Sequence, residues 1–73
     1  MAELQTEVQV RLNGEERRVP AGLSVATLLE SLSLHPRLVV VEHNGQILRR
    51  DAYAEAAVQE GDALELVHFV GGG

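Results

Sequence analysis

Ala63-Leu64-Glu65-Leu66-Val67-His68-Phe69 runs without a break into Val70-Gly71-Gly72-Gly73, the last residues of the chain. Leu64 and Leu66 fall on one side of an extended segment, and Glu65, Val67 and Phe69 fall on the other, which is the pattern of a strand covered on one face only. The glycines reverse that logic. They bring no side chain to a core and lose the most backbone freedom when ordered. The expected division is therefore a folded domain over residues 1–70 and a flexible Gly71-Gly72-Gly73 tail ending in a carboxylate. Such a tail passes through a slot too narrow for any side chain, with Gly71 and Gly72 lining the path and the Gly73 carboxylate as the reactive group. The competing reading is a passive spacer, the commoner use of glycine-rich ends.

The segments upstream fit a domain built around that last strand. Glu7-Val8-Gln9-Val10-Arg11-Leu12 alternates polar and apolar, placing Val8, Val10 and Leu12 on a core face. Asn13-Gly14 is a type I′ hairpin signal. Glu15 to Pro20 returns as a polar strand whose charges and proline suit an edge. Ser24 has the chemistry of a helix N-cap, and Val25, Leu28, Leu29 and Leu32 follow at helical spacing. Leu34-His35-Pro36 is expected to end that helix, because a residue before proline avoids the helical region. Arg37 to His43 contains Leu38-Val39-Val40-Val41, an interior-strand run that leaves open which alternate pair is buried. Asn44-Gly45 marks a second hairpin into Gln46-Ile47-Leu48. Arg49 to Glu60 reads as a connection with a helical turn, pinned by Tyr53 or Val58, and Gly61-Asp62 as the turn into the last strand. One helix must cover one face of a mixed sheet of four to five strands, with the first and last strands paired at its centre. This α+β arrangement is the β-grasp, the shape of ubiquitin.

Composition narrows the function. The chain has 73 residues and buries only ~60% of the surface its unfolded form exposes, so it is one small domain of modest stability. It has no cysteine, hence neither disulfides nor a thiolate metal site. A net charge of −5 argues against nucleic acid as a partner, and no apolar run is long enough to span a membrane. With no signal-peptide pattern at the N-terminus, a cytoplasmic location is expected. An acidic surface suits brief docking on basic partners. All six basic residues are arginine, so no side-chain amine is present to capture an activated carboxyl end.

No catalytic set is evident. His35, His43 and His68 lie in different elements, and no nucleophile, base and orienting group are grouped as an enzyme requires. The chain is therefore expected not to be an enzyme and to hold no metal. Val67 and Phe69, on the uncovered face, are the candidate partner-docking residues, since large apolar side chains on an open sheet mark contact sites. The alternative for Phe69 is that it folds back on the domain edge. The pairs Arg17-Arg18 and Arg49-Arg50 read as solvated surface.

Asn44-Gly45-Gln46-Ile47-Leu48-Arg49-Arg50, Tyr53, Val58-Gln59-Glu60-Gly61-Asp62 and above all Val67-His68-Phe69-Val70-Gly71-Gly72-Gly73 resemble the ubiquitin-like sulfur carriers of the ThiS family, over nearly the whole chain. Residues 1–6 extend beyond the family's usual start. The resemblance implies a carrier that binds no cofactor of its own. An ATP-dependent E1-like activating enzyme (ThiF-type) would adenylate Gly73. A cysteine desulfurase or other sulfur donor would supply the sulfur that converts it to a thiocarboxylate. Thiazole synthase (ThiG-type) would accept that sulfur for the thiazole ring of thiamine. The alternatives are a carrier for molybdopterin, tRNA thiolation or cysteine synthesis, and a ubiquitin-like protein modifier joined to targets through Gly73.

Overall fold

Alternation in Glu7–Leu12 (β1) buries Val8, Val10 and Leu12, as the pattern requires. Asn13 and Gly14 then take φ values of 51° and 83°, the left-handed pair of a type I′ turn. Asparagine and glycine adopt that conformation most readily. The chain returns antiparallel as Glu15–Pro20 (β2), of which only Val19 is buried. These elements belong to a computed structural model that describes residues 6–69.

The helix, Val25–Ser31 (α1), begins at Ser24. Its first four N–H groups would be orphans in an isolated helix. Here every one has a partner. Val25 donates to the Ala56 carbonyl at 2.8 Å and Ala26 to the Tyr53 carbonyl at 2.9 Å. Thr27 donates to Ser24 Oγ at 3.1 Å, and the first intrahelical bond then runs from the Leu28 N–H to the Ser24 carbonyl at 2.9 Å. Thr27 Oγ1 accepts in turn from the Ser24 N–H at 2.8 Å, closing a capping box with threonine in the place usually held by glutamate. The 49–60 connection is therefore the cap of the helix as well as a link. Tyr53 and Val58 both pin it, at 4% and 3% exposure, and Tyr53 Oη donates to the Val39 carbonyl at 2.9 Å.

The helix stops earlier than Pro36. Ser33 turns it with φ 61°, its N–H donating to Glu30 and the Leu34 N–H reaching back to Leu29 at 2.9 Å. This is a Schellman motif with serine where glycine is customary. Pro36 instead opens a 3₁₀ turn over Pro36–Leu38, so the middle strand starts one residue later than its apolar run suggests, as Val39–His43 (β3). Val39 and Val41 face the core, and Leu38 and Val40 face outward. Asn44-Gly45 forms the second left-handed turn, leading to Gln46–Leu48 (β4). A second 3₁₀ turn at Arg50–Ala52 precedes the last strand, Ala63–His68 (β5).

The strands lie in the order β2-β1-β5-β3-β4, so β5 is central. It runs parallel to β1 and antiparallel to β3. Leu28, Leu29 and Val25 of α1 pack on the inner side chains of β1, β3 and β5 to form one core. The five-stranded mixed sheet with one helix is the β-grasp arrangement.

Ser33 holds a conformation that costs an L-residue roughly 1–2 kcal/mol and glycine little. Ser33→Gly is expected to raise the unfolding free energy by about 0.5–1 kcal/mol, the fraction left after glycine's greater unfolded-state entropy. Urea denaturation checks this, and a loss of stability would show that the Ser33 side chain has a role beyond the turn.

Candidate functional site

The residues expected to be reactive follow β5 in the chain, which makes β5 the frame of the site. Two asparagines hold it, one from each hairpin turn. Asn13 Oδ1 accepts from the Leu66 N–H at 2.7 Å while Asn13 Nδ2 donates to the Leu66 carbonyl at 3.2 Å. The pairing of β1 with β5 extends only to Leu12 opposite Leu64, so this amide continues the ladder beyond the end of β1. On the other side, Asn44 Oδ1 accepts from the Ala63 N–H at 2.8 Å, and the Asn44 N–H donates to the Ala63 carbonyl at 2.8 Å.

Asp62 anchors the start of the strand. One carboxylate oxygen lies 2.9 Å from His43 Nε2 and accepts from the Gln59 N–H at 2.9 Å. The other accepts from Asn44 Nδ2 at 3.1 Å. Burial pushes the carboxyl pKa up. The bonds from His43, Gln59 and Asn44, together with the His43 charge, outweigh burial and hold it below the ordinary carboxylate value. His43 is thus a partner of Asp62 at the end of β5 remote from Phe69. It stands with turn residues, and the hydrogen-bond partners of Asp62 are His43, Asn44 and the Gln59 N–H, none of them a nucleophile.

At the other end, Phe69 continues the pairing for one residue, its N–H donating to the Leu38 carbonyl at 2.7 Å. Val67 and Phe69 are each 54% exposed. The open face is broader than these two. Val40 lies directly across from Val67, and Glu42 directly across from Glu65. Ile47, 66% exposed, lies across from Glu42 on β4. Val40, Glu42, Ile47, Glu65 and Val67 line one shallow depression. Val40 and Ile47 escaped the sequence reading because a four-residue apolar run and a three-residue strand show no alternation. Gly71, Gly72 and Gly73 lie outside the described residues, as does the domain limit at residue 70. Among the described residues, no group of three or more His, Cys, Asp or Glu side chains could hold a metal, and no helix is long and apolar enough to cross a membrane.

The ThiS family model matches residues 10–73, which takes in the sheet, the helix and the glycine tail. The chain belongs to the ThiS family. Its relatives agree. A ThiS sulfur carrier protein of Bacillus subtilis is 35% identical, covering 88% of this chain and 98% of that protein. The crystal structure of the ThiS thiamine biosynthesis protein of Geobacter metallireducens superposes with a TM-score of 0.76 at 36% identity, over 90% of this chain and all of that one. A thiazole synthase of Paramagnetospirillum magneticum is 47% identical over 62 residues, 85% of this chain but 19% of that enzyme. The ThiS-family chain spans about a fifth of the length of the thiazole synthases it matches.

Removing the Asp62 carboxylate takes the acceptor from three partly buried donors, on His43, Asn44 and Gln59. Asp62→Ala is expected to cost about 2–3 kcal/mol in denaturant unfolding. Since the folded-state pKa is depressed, the stabilisation is present above the unfolded carboxylate pKa and is lost as pH falls through the folded one. Wild type should therefore lose stability more steeply than Asp62→Asn between about pH 5 and about pH 3. Parallel curves would remove the charge of Asp62 from the account.

Proposed function

We propose that this chain is a sulfur carrier whose Gly73 carboxylate is adenylated and then converted to a thiocarboxylate, donating sulfur to thiazole synthase in thiamine biosynthesis. One observation carries the reading. The family match spans residues 10–73 and so includes the three glycines up to Gly73. The likeness to sulfur carrier proteins and to a segment of two thiazole synthases supports the acceptor.

The chemistry suits a free glycine carboxylate. A carboxylate is a poor electrophile. A ThiF-type activating enzyme supplies ATP, and attack of the Gly73 oxygen on the α-phosphorus releases pyrophosphate and leaves an acyl-adenylate. The terminal sulfur of a donor persulfide then forms a carbon–sulfur bond as the carbon–oxygen bond to AMP breaks, and a thiol reduces the sulfur–sulfur bond of that acyl disulfide, leaving the thiocarboxylate and a disulfide. The resulting thiocarboxylate is anionic and nucleophilic at neutral pH. Gly71 and Gly72 let the tail enter both enzymes without a side chain to collide. Val67 and Phe69 belong to the face that docks. The carrier contributes position and passes the bond-making to its partners. The lack of lysine removes side-chain amines that would capture the acyl-adenylate within the same molecule.

Intact mass of the protein, recovered from a host with a matching activating enzyme, tests the reading. A species heavier by one oxygen-to-sulfur exchange is expected, and it should vanish on deletion of Gly73. The deletion should leave the melting temperature unchanged, because glycine adds no side chain to a core. Protein adducts without the sulfur species would overturn the carrier reading in favour of a modifier. Separately, Phe69→Ala is expected to weaken binding to the activating enzyme or to thiazole synthase about tenfold or more while changing stability by less than about 0.5 kcal/mol. Isothermal titration alongside urea unfolding measures both, and unchanged affinity for both enzymes would remove Phe69 from the docking face.

A further inference from the structure

The open face of the sheet carries an arrangement that works against the fold. Glu42 and Glu65 are direct cross-strand partners on β3 and β5. Directly opposed side chains have Cβ atoms ~4.5–5.5 Å apart, and like charges in that position destabilise a sheet. No ion pair with a described residue relieves them. Arg11, on the same face, reaches Glu16 on β2 instead, at 3.6 Å. The two carboxylates sit in apolar ground, with Ile47 across from Glu42 and the Val40–Val67 pair in the adjacent row.

Resting on the sulfur-carrier reading, we propose that this face docks thiazole synthase by receiving an arginine side chain of that enzyme between Glu42 and Glu65. The charge calls for a cation, and the spacing and surroundings select its type. A guanidinium is a flat fork with donors on two edges, able to serve two neighbouring carboxylates at once, and it sheds water more readily than an ammonium. Its aliphatic stem lies over Val40 and Val67, which are 37% and 54% exposed and would be covered by the same contact. The repulsion within the free carrier becomes attraction in the complex, so the pair selects for the bound state. Thiazole synthase is the occupant because two such enzymes contain a segment 47% and 39% identical to this chain, which ties the carrier fold to that partner. The face is also continuous with β5, the strand that leads to the tail.

The test compares the full chain with its Glu42→Gln/Glu65→Gln variant, titrated onto thiazole synthase at low and high salt. Glu30→Gln/Glu55→Gln, on exposed positions away from the sheet, makes the same change in net charge and serves as the control. The expected result is about a tenfold or greater loss of affinity for the sheet variant, a smaller change for the control, and a salt dependence much reduced in the sheet variant alone. Its melting temperature should be unchanged or higher, which a merely structural role for the glutamates would not produce. Equal affinity of wild type and sheet variant overturns the arginine slot, and so does equal loss in the control. Thiocarboxylate formation on wild type, read by intact mass, separates the two levels. Its presence with equal affinities leaves the carrier standing and removes the slot. Its absence, together with no binding of wild type to thiazole synthase, removes both.

Discussion

The backbone of β5 is the hydrogen-bonded seam between two hairpins that do not otherwise share a ladder among the described residues. Everything the molecule presents depends on that seam being closed in one register. A slip of one residue would turn Leu64 and Leu66 outward and drive Glu65 and Val67 into the core. Asn13 and Asn44 prevent it from opposite sides, each binding the N–H and C=O of one residue of β5, while Asp62 fixes where the strand starts. The turns that reverse the hairpins and the clamps that hold the centre are thus the same residues. Asparagine suits both tasks, since it tolerates a positive φ and carries a donor and an acceptor on one short arm.

That double use marks the boundary of what the sequence discloses. The hairpins were legible because Asn-Gly has a local meaning. The clamps were not, because they join residues far apart in the chain, and no local pattern announces them. The same holds for the connection over 49–60. Tyr53 and Val58 could be picked out as anchors from their size and apolarity. The role of the Tyr53 and Ala56 carbonyls as acceptors for the helix N-terminus depends on tertiary placement. The helix end was misplaced for a different reason. Proline is a strong stop signal, but Ser33 had already left the helix at a position where glycine would have been the visible cue.

The candidate site divides along the same line. Alternation in β5 turns Val67 to the open face, where it lines the depression with Val40, and Phe69, one residue past the strand, is exposed. The opposing half of that face, Val40, Glu42 and Ile47, becomes visible only when β3 and β4 are set beside β5 in register. A surface assembled from three strands has no signature in any one of them. The tail is the converse case. Its reading is carried by composition and by the family match, and the structure contributes the direction of the strand that leads to it.

The central strand is also the last in chain order, with β1 and β5 about fifty residues apart where they pair, by the ~51-residue separation of Arg11 and Asp62. Non-local pairing of this kind closes late, after the loop entropy between the strands has been overcome. A chain interrupted before Ala63 holds two hairpins and a helix but no seam to join them. During synthesis both hairpins therefore wait, with their apolar inner faces unjoined, for the one strand that pairs with each of them. The fold is an all-or-nothing structure whose closing piece is made last.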